Sequence, residues 1–268
     1  MEILKRSLKA TPFRNIVRYL RTTIYSIKAD RANSIMVWTI HDQDMLEFYS
    51  HFLAKNDLCF DVGANIGNRT KIFLALEARV IAVEPQAACV KKLKKFRKKN
   101  RDFMIVKKAL GHTEGKAELL IGNTSTLSSL SPNWIHATKQ SGRFSTSSWD
   151  KKQTVSITTL DSLIGQYGLP SFIKIDVEGY EYEVIKGLST PIKAISFEFT
   201  PELLQPTFNS IDYFQHMGEA CFNFSLGESA KMFMDHWVSA QKIKEILAVY
   251  RDDVTLFGDI YVRFDKDA

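Results

Sequence analysis

Cysteine is scarce in this sequence of 268 residues: Cys59, Cys89 and Cys221 lie far apart and are odd in number. That excludes a disulfide framework or a cysteine-built zinc site and suits reduced thiols. Long apolar runs are missing as well. The longest uncharged run, Leu119 to Thr138, is full of Ser, Thr and Asn, and no stretch approaches the roughly 20 apolar residues that span a bilayer. The opening Met1-Glu2-Ile3-Leu4-Lys5-Arg6 leads into no apolar core of signal-peptide length, because Arg14, Arg18 and Arg21 interrupt it. These absences give the expectation of a soluble cytoplasmic protein. A disordered or fibrous composition is absent too, since 45% hydrophobic, 12% aromatic and 25% charged residues are ordinary globular usage.

Acidic residues are few at the start of the chain. Residues 1–31 carry eight basic side chains (Lys5, Arg6, Lys9, Arg14, Arg18, Arg21, Lys28, Arg31) against Glu2 and Asp30, which equals the net +6 of the whole chain. The remainder is neutral. Within this arm Phe13, Ile16, Val17, Leu20, Ile24 and Ile27 recur at helical spacing. A basic helical arm over 1–40 is therefore expected ahead of a domain over 41–268. The arm's two readings are a helix docked on that domain and a peripheral contact with an anionic membrane.

From residue 57 short apolar runs alternate with helical stretches. Leu58–Val62, Val80–Val83, Phe103–Val106, Phe172–Ile175 and Ala194–Phe197 read as buried strands. Helices are expected over Ile66–Leu76, 87–100, Leu160–Tyr167, Glu181–Leu188 and near Ile211–Met217. Ala117–Ile121 and Val155–Thr158 are strand-like, and Phe222–Phe224 and Asp259–Phe264 close the chain as strands. Alternation of this kind predicts an α/β, doubly wound, Rossmann-like sheet, mostly parallel with helices on both faces. Residues 122–153 are the exception: 32 residues with twelve Ser or Thr and little apolar periodicity. A loop that long inside a domain reads as a lid or insertion, and Trp134, His136, Phe144 and Trp149 supply anchors.

Asp61-Val62-Gly63-Ala64-Asn65-Ile66-Gly67 lies at a strand-to-helix turn. Gly63 lets a ligand approach the backbone, and Gly67 lets the helix begin close to the strand, where free N–H groups collect. Glu84 ends the next strand, 23 residues after Asp61, where a carboxylate can accept both hydroxyl protons of a ribose. A dinucleotide turn needs a glycine where Asn65 stands, and Asp61 would repel a pyrophosphate. The same carboxylate suits the ammonium or sulfonium end of S-adenosylmethionine. Further along, Asp176, Glu178 and Glu198 reach the same edge from two neighbouring strands. Carboxylates gathered there oppose each other's ionisation unless they are used. They can bind a sugar's hydroxyls, accept a proton from a hydroxyl, or hold a divalent metal cation.

Five segments in register carry a resemblance: Asp61 to Gly67, Val83-Glu84-Pro85, Lys108-Ala109-Leu110-Gly111, Thr159-Leu160-Asp161-Ser162-Leu163, and Ile173 to Gly179. The chain resembles the FkbM family of methyltransferases from about residue 40 to 200. The resemblance implies a class I methyltransferase sheet of seven strands with an antiparallel last strand, which Asp259–Phe264 would supply. It implies S-adenosylmethionine as cofactor and O-methyl transfer to a hydroxyl of a glycan or other small polar acceptor. On that reading the turn through Gly63, Asn65 and Gly67 cradles the methionine part. Asp61 approaches its ammonium, Glu84 takes the ribose hydroxyls, and Lys108 and Ala109 border the adenine. Asp176 is the first candidate for the base that deprotonates the acceptor, His136 the second, and Glu178 and Glu198 contact the substrate.

Lys91, Lys92, Lys94, Lys95, Arg97, Lys98, Lys99 and Arg101 form a second basic cluster. With the arm it raises RNA methylation as an alternative, although no RNA-binding module is visible. A nicotinamide-dependent oxidoreductase and a non-catalytic binding protein on the same scaffold are the other two.

Overall fold

The computed structural model describes residues 37–98 and 100–264. Residues 1–36 of the basic helical arm expected over 1–40 lie outside them. In chain order the elements are α1 (Ile40–Tyr49), β1 (Leu58–Val62), α2 (Asn68–Ala75), β2 (Arg79–Val83), α3 (Ala87–Arg97), β3 (Phe103–Val106), β4 (Ala109–Leu110), β5 (Gly115–Ile121), α4 (Pro132–Gln140) and β6 (Lys151–Thr158). The second half continues with α5 (Leu160–Tyr167), β7 (Phe172–Ile175), α6 (Glu181–Ile185), β8 (Ala194–Phe199), α7 (Leu204–Met217), β9 (Cys221–Leu226), α8 (Ala240–Ala248) and β10 (Gly258–Arg263).

Seven strands pair in the order β3-β2-β1-β7-β8-β10-β9. Those from β3 to β8 are parallel, while β10 runs antiparallel to both β8 and β9. This is the doubly wound α/β sheet anticipated, with its last strand inserted against the others' direction. Every residue of β1 and β7 is buried, as expected for central parallel strands covered by helices on both faces. Alternate residues supply two cores. Leu58, Phe60, Val62, Ile173 and Ile175 face α5 to α8, and Cys59, Val80, Ala82 and Phe172 face α1, α2 and α3. On the latter face Tyr49, Phe52, Phe73 and Phe172 pack edge to face or tilted, and Lys71 of α2 meets Asp42 of α1 at 2.7 Å in a buried pair.

A second, three-stranded sheet, β4-β6-β5, lies beside the main one. It pairs β5 with β6 antiparallel, Leu119 opposite Gln153, so β6 begins inside the stretch expected to be loop. Within that stretch α4 forms as well. Ser131 caps it by accepting the Trp134 N–H, and Pro132 occupies the first turn, where no N–H is needed. Local capping chemistry therefore builds a helix where apolar periodicity is too short to announce one. The same applies to α1, capped reciprocally by Thr39 and Asp42. Helix α7 starts at Leu204, earlier than expected, because Pro206 sits in its first turn. Helix α8 is not among the expected elements, and α3 ends at Arg97 rather than near residue 100.

Candidate functional site

The carboxyl ends of β1, β2, β7 and β8 meet at one edge, and the turn after β1 sits at its centre. Gly63 has φ +82°, and a Cβ there would lie 1.7 Å from the Asp176 carbonyl oxygen. Only glycine lets the two strand ends close together. Asn65 (φ 48°) and Gly67 (φ 96°) are also left-handed, and Gly67 precedes the first turn of α2. Asp61 is buried and accepts the Thr70 hydroxyl at 2.5 Å. Burial lifts its carboxyl to about 6, Thr70 pulling the other way.

Glu84 lies just past β2, buried, with one carboxylate oxygen accepting the Asn65 N–H at 2.8 Å and the other the Gln86 N–H at 2.7 Å. Burial pushes its carboxyl up to about 7 against those two bonds. The carboxylate is thus fixed, and each oxygen keeps acceptor capacity beyond its one backbone donor. A cleft of about 380 Å³ beside it is lined by Pro85, Ala87, Lys107 and residues 153–156 of β6. Ala109 is buried in β4 and Lys108 half-buried, so it is the neighbouring Lys107 that lines this cleft.

On the other side of the Gly63 turn stand the three expected carboxylates. One oxygen each of Asp176, Glu178 and Glu198 lies within 4.8 Å of the others. Parallel pairing puts them there, since Ile175 of β7 is opposite Phe197 of β8. Burial, with Asp176 as a charged neighbour, raises the Glu178 carboxyl well above the usual range; burial and Glu178 do the same to Glu198. Asp176 is different. Its side chain is 39% exposed and meets the Lys174 ammonium at 3.2 Å, while Lys174, 2% exposed, also binds Asp259 at 2.9 Å. Burial opposes charge on Lys174, but Asp259 and Asp176 hold its pKa well above the lysine value. Three carboxyl groups gathered this closely at one strand edge can accept hydroxyl protons or surround a cation.

Glu181 was not singled out in the sequence as a site residue. Glu181 accepts the Val177 and Gly179 N–H groups at 2.9 and 3.2 Å and so shapes the turn that carries Glu178, itself at φ 57°. Trp134 of α4, 1% exposed, is seated on Gly179, where a Cβ would come within 2.3 Å of the indole. Its anchoring is the structural content of the aromatic signal read in residues 122–153. His136 faces away: it is exposed, two residues from buried Trp134 and so on the opposite side of α4. Among the described residues no hydrogen bond or ion pair joins it to the carboxylates.

The Hexuronic acid methyltransferase AglP of Haloferax volcanii is 25% identical over 168 residues, 60% of this chain and 64% of that protein, less than two thirds of its length. Among solved structures, the precorrin-6y C5,15-methyltransferase of Geobacter metallireducens is similar at 9% identity, over 84% of this chain and 87% of that one, with a TM-score of 0.43. An rRNA methylase of Streptococcus thermophilus is similar at 9% identity, over 85% and 98%, with a TM-score of 0.41. Residues 61–224, from the Asp61 turn into β9, match the methyltransferase FkbM domain, and the chain belongs to that family.

Proposed function

We propose that this chain is an S-adenosylmethionine-dependent O-methyltransferase whose acceptor is a sugar hydroxyl, with a hexuronic acid or a glycan bearing one as the first acceptor to test. The observation that carries the reading is the division of one sheet edge by the Gly63 turn. On one side lie buried Asp61, fixed Glu84 and a cleft; on the other lie three carboxylates within 4.8 Å. The name of the curated relative supports the acceptor class.

The residues fit the cofactor. The Gly63 turn has no side chain between β1 and β7, Glu84 retains lone pairs for a ribose diol, and Asp61 supplies negative charge for an ammonium. The cleft past Pro85 is of a size to take the nucleoside end. When bound, S-adenosylmethionine supplies an electrophilic methyl group on a sulfonium. The chain's own work is to hold the acceptor hydroxyl and remove its proton. Asp176, with its side chain 39% exposed, is the proposed base, and Glu178 and Glu198 hold neighbouring hydroxyls.

Calorimetric titration with S-adenosylmethionine, S-adenosylhomocysteine and NAD, on the protein and on Glu84→Ala, tests the cofactor. Binding of the two adenosyl compounds, weakened by the substitution, is expected; binding of NAD alone would overturn the proposal. Methyl transfer is then read on glucuronic-acid-terminated oligosaccharides, their neutral counterparts and RNA. Transfer confined to RNA would replace the acceptor class.

A further inference from the structure

The segment joining β5 to β6 is attached in two different ways. Its later part is held by burial. Trp134 is packed on Gly179, the Ser129 hydroxyl donates to the Glu178 carbonyl at 2.6 Å, and Arg143 grips Glu202 through Nε and Nη2 at 2.8 and 3.0 Å. That ion pair is itself sequestered, with side chains 11% and 4% exposed. The earlier part, residues 122–128, has no buried side chain before Ser128 and is held by polar contacts. The Ser125 hydroxyl donates to Asn65 Oδ1 at 3.1 Å, Gln86 Nε2 donates to the Ser125 carbonyl at 2.9 Å, and the Ser128 hydroxyl donates to Gln86 Oε1 at 2.9 Å.

Besides Trp149, whose Nε1 donates to the Leu127 carbonyl at 2.6 Å, and Ser148, whose carbonyl accepts the Asn123 N–H at 2.9 Å, the partners of this turn are Asn65 and Gln86, the two residues whose backbone N–H groups hold the Glu84 carboxylate. The turn therefore closes over the carboxylate assigned to the ribose, through hydrogen bonds that exchange readily with water. Segments held this way open at far lower cost than segments held by a buried tryptophan and a buried ion pair. We propose that residues 122–128 form a latch over the nucleoside end of the cofactor site, in which Ser125 and Ser128 retain the bound nucleoside by tying Asn65 and Gln86 in place, while residues 129–143 stay seated. The proposal rests on the assignment of Glu84 to an adenosyl cofactor. A nucleoside whose diol engages Glu84 orders Asn65 and Gln86 and so favours the closed latch. By linkage the closed latch favours bound nucleoside by the same factor.

The probe is S-adenosylhomocysteine, which needs no acceptor. Hydrogen-exchange mass spectrometry on the full chain is expected to show exchange in 122–128 slowed by roughly tenfold or more when the probe is bound, with 132–140 little changed. Stopped-flow displacement is expected to show the Ser125→Ala, Ser128→Ala double variant releasing the probe roughly tenfold faster, as loss of the side-chain bonds to Asn65 and Gln86, together with the Gly122 N–H bond to the Ser128 hydroxyl, implies. Exchange in 132–140 should stay at its wild-type rate in that variant, which certifies its fold. If the probe binds and exchange in 122–128 does not slow, or the double variant releases it at the wild-type rate, the latch is overturned and the cofactor reading stands. If the folded wild-type protein does not bind the probe, both fall.

Discussion

Gly63 offers the sharpest test of how the site is built. Gly63→Ala places a methyl 1.7 Å from the Asp176 carbonyl oxygen, where an ordinary contact needs about twice that distance. Because that neighbour is backbone at the end of β7, relief requires the ends of β1 and β7 to part. That in turn stretches the bond from the Asp176 N–H to the Val62 carbonyl, now 2.9 Å. Holding alanine at φ +82° costs about 1–2 kcal/mol, and the weakened strand-end bond about 1 kcal/mol more. The displaced carbonyl adds to that, so a loss of about 3 kcal/mol or more is expected in urea unfolding. Binding of S-adenosylhomocysteine should be lost with it. Gly165 is the internal control. It lies in α5, where an added methyl would find no atom within 4 Å, and its φ is an ordinary one. Gly165→Ala should therefore stabilise by about 0.5–1 kcal/mol. If Gly63→Ala unfolds within about 0.5 kcal/mol of wild type and binds the probe normally, the close packing of the Gly63 turn on β7 is refuted.

Three further outcomes are expected. Glu84 titrates at about 7, raised by burial and, in smaller part, by the charge of Asp61. A protonated carboxyl has lost an acceptor site for the diol. Affinity for S-adenosylhomocysteine should therefore fall roughly tenfold between pH 8 and pH 6. Calorimetry on Glu84→Ala should show weak binding without that step, and an equal pH dependence in the variant would assign it elsewhere. Arg143→Met leaves the Glu202 carboxylate buried without its bidentate partner. It should cost about 3 kcal/mol by chemical denaturation, whereas a change under about 0.5 kcal/mol would mean that the pair is solvated. Asp176→Asn should lower the single-turnover rate on a responsive acceptor roughly a hundredfold or more, with S-adenosylhomocysteine affinity unchanged. A wild-type rate would remove Asp176 from the chemistry.

Sequence alone determined what depends on near neighbours. The alternation of runs such as Leu58–Val62 and Phe172–Ile175 with amphipathic stretches specified a parallel sheet covered on both faces, because side chains alternate across a strand and recur every third or fourth residue along a helix. The turn from Asp61 to Gly67 and the strand-end position of Glu84 were legible for the same reason. Helix α4 was not, because Ser131 and Pro132 start it in one turn and its buried face is little more than Trp134 and Thr138. Tertiary structure decided which distant groups share a space. Lys174 finds Asp259 across 85 residues, Glu198 joins Asp176 through the register of β7 on β8, and Ser125 reaches Asn65 across 60 residues. Such pairings follow from strand order and from how closely backbones approach, quantities that no local pattern encodes. Gly63 shows both sides: its place in the turn is written in the chain, but the atom that forbids any other residue there is the carbonyl of Asp176, brought to it by the sheet.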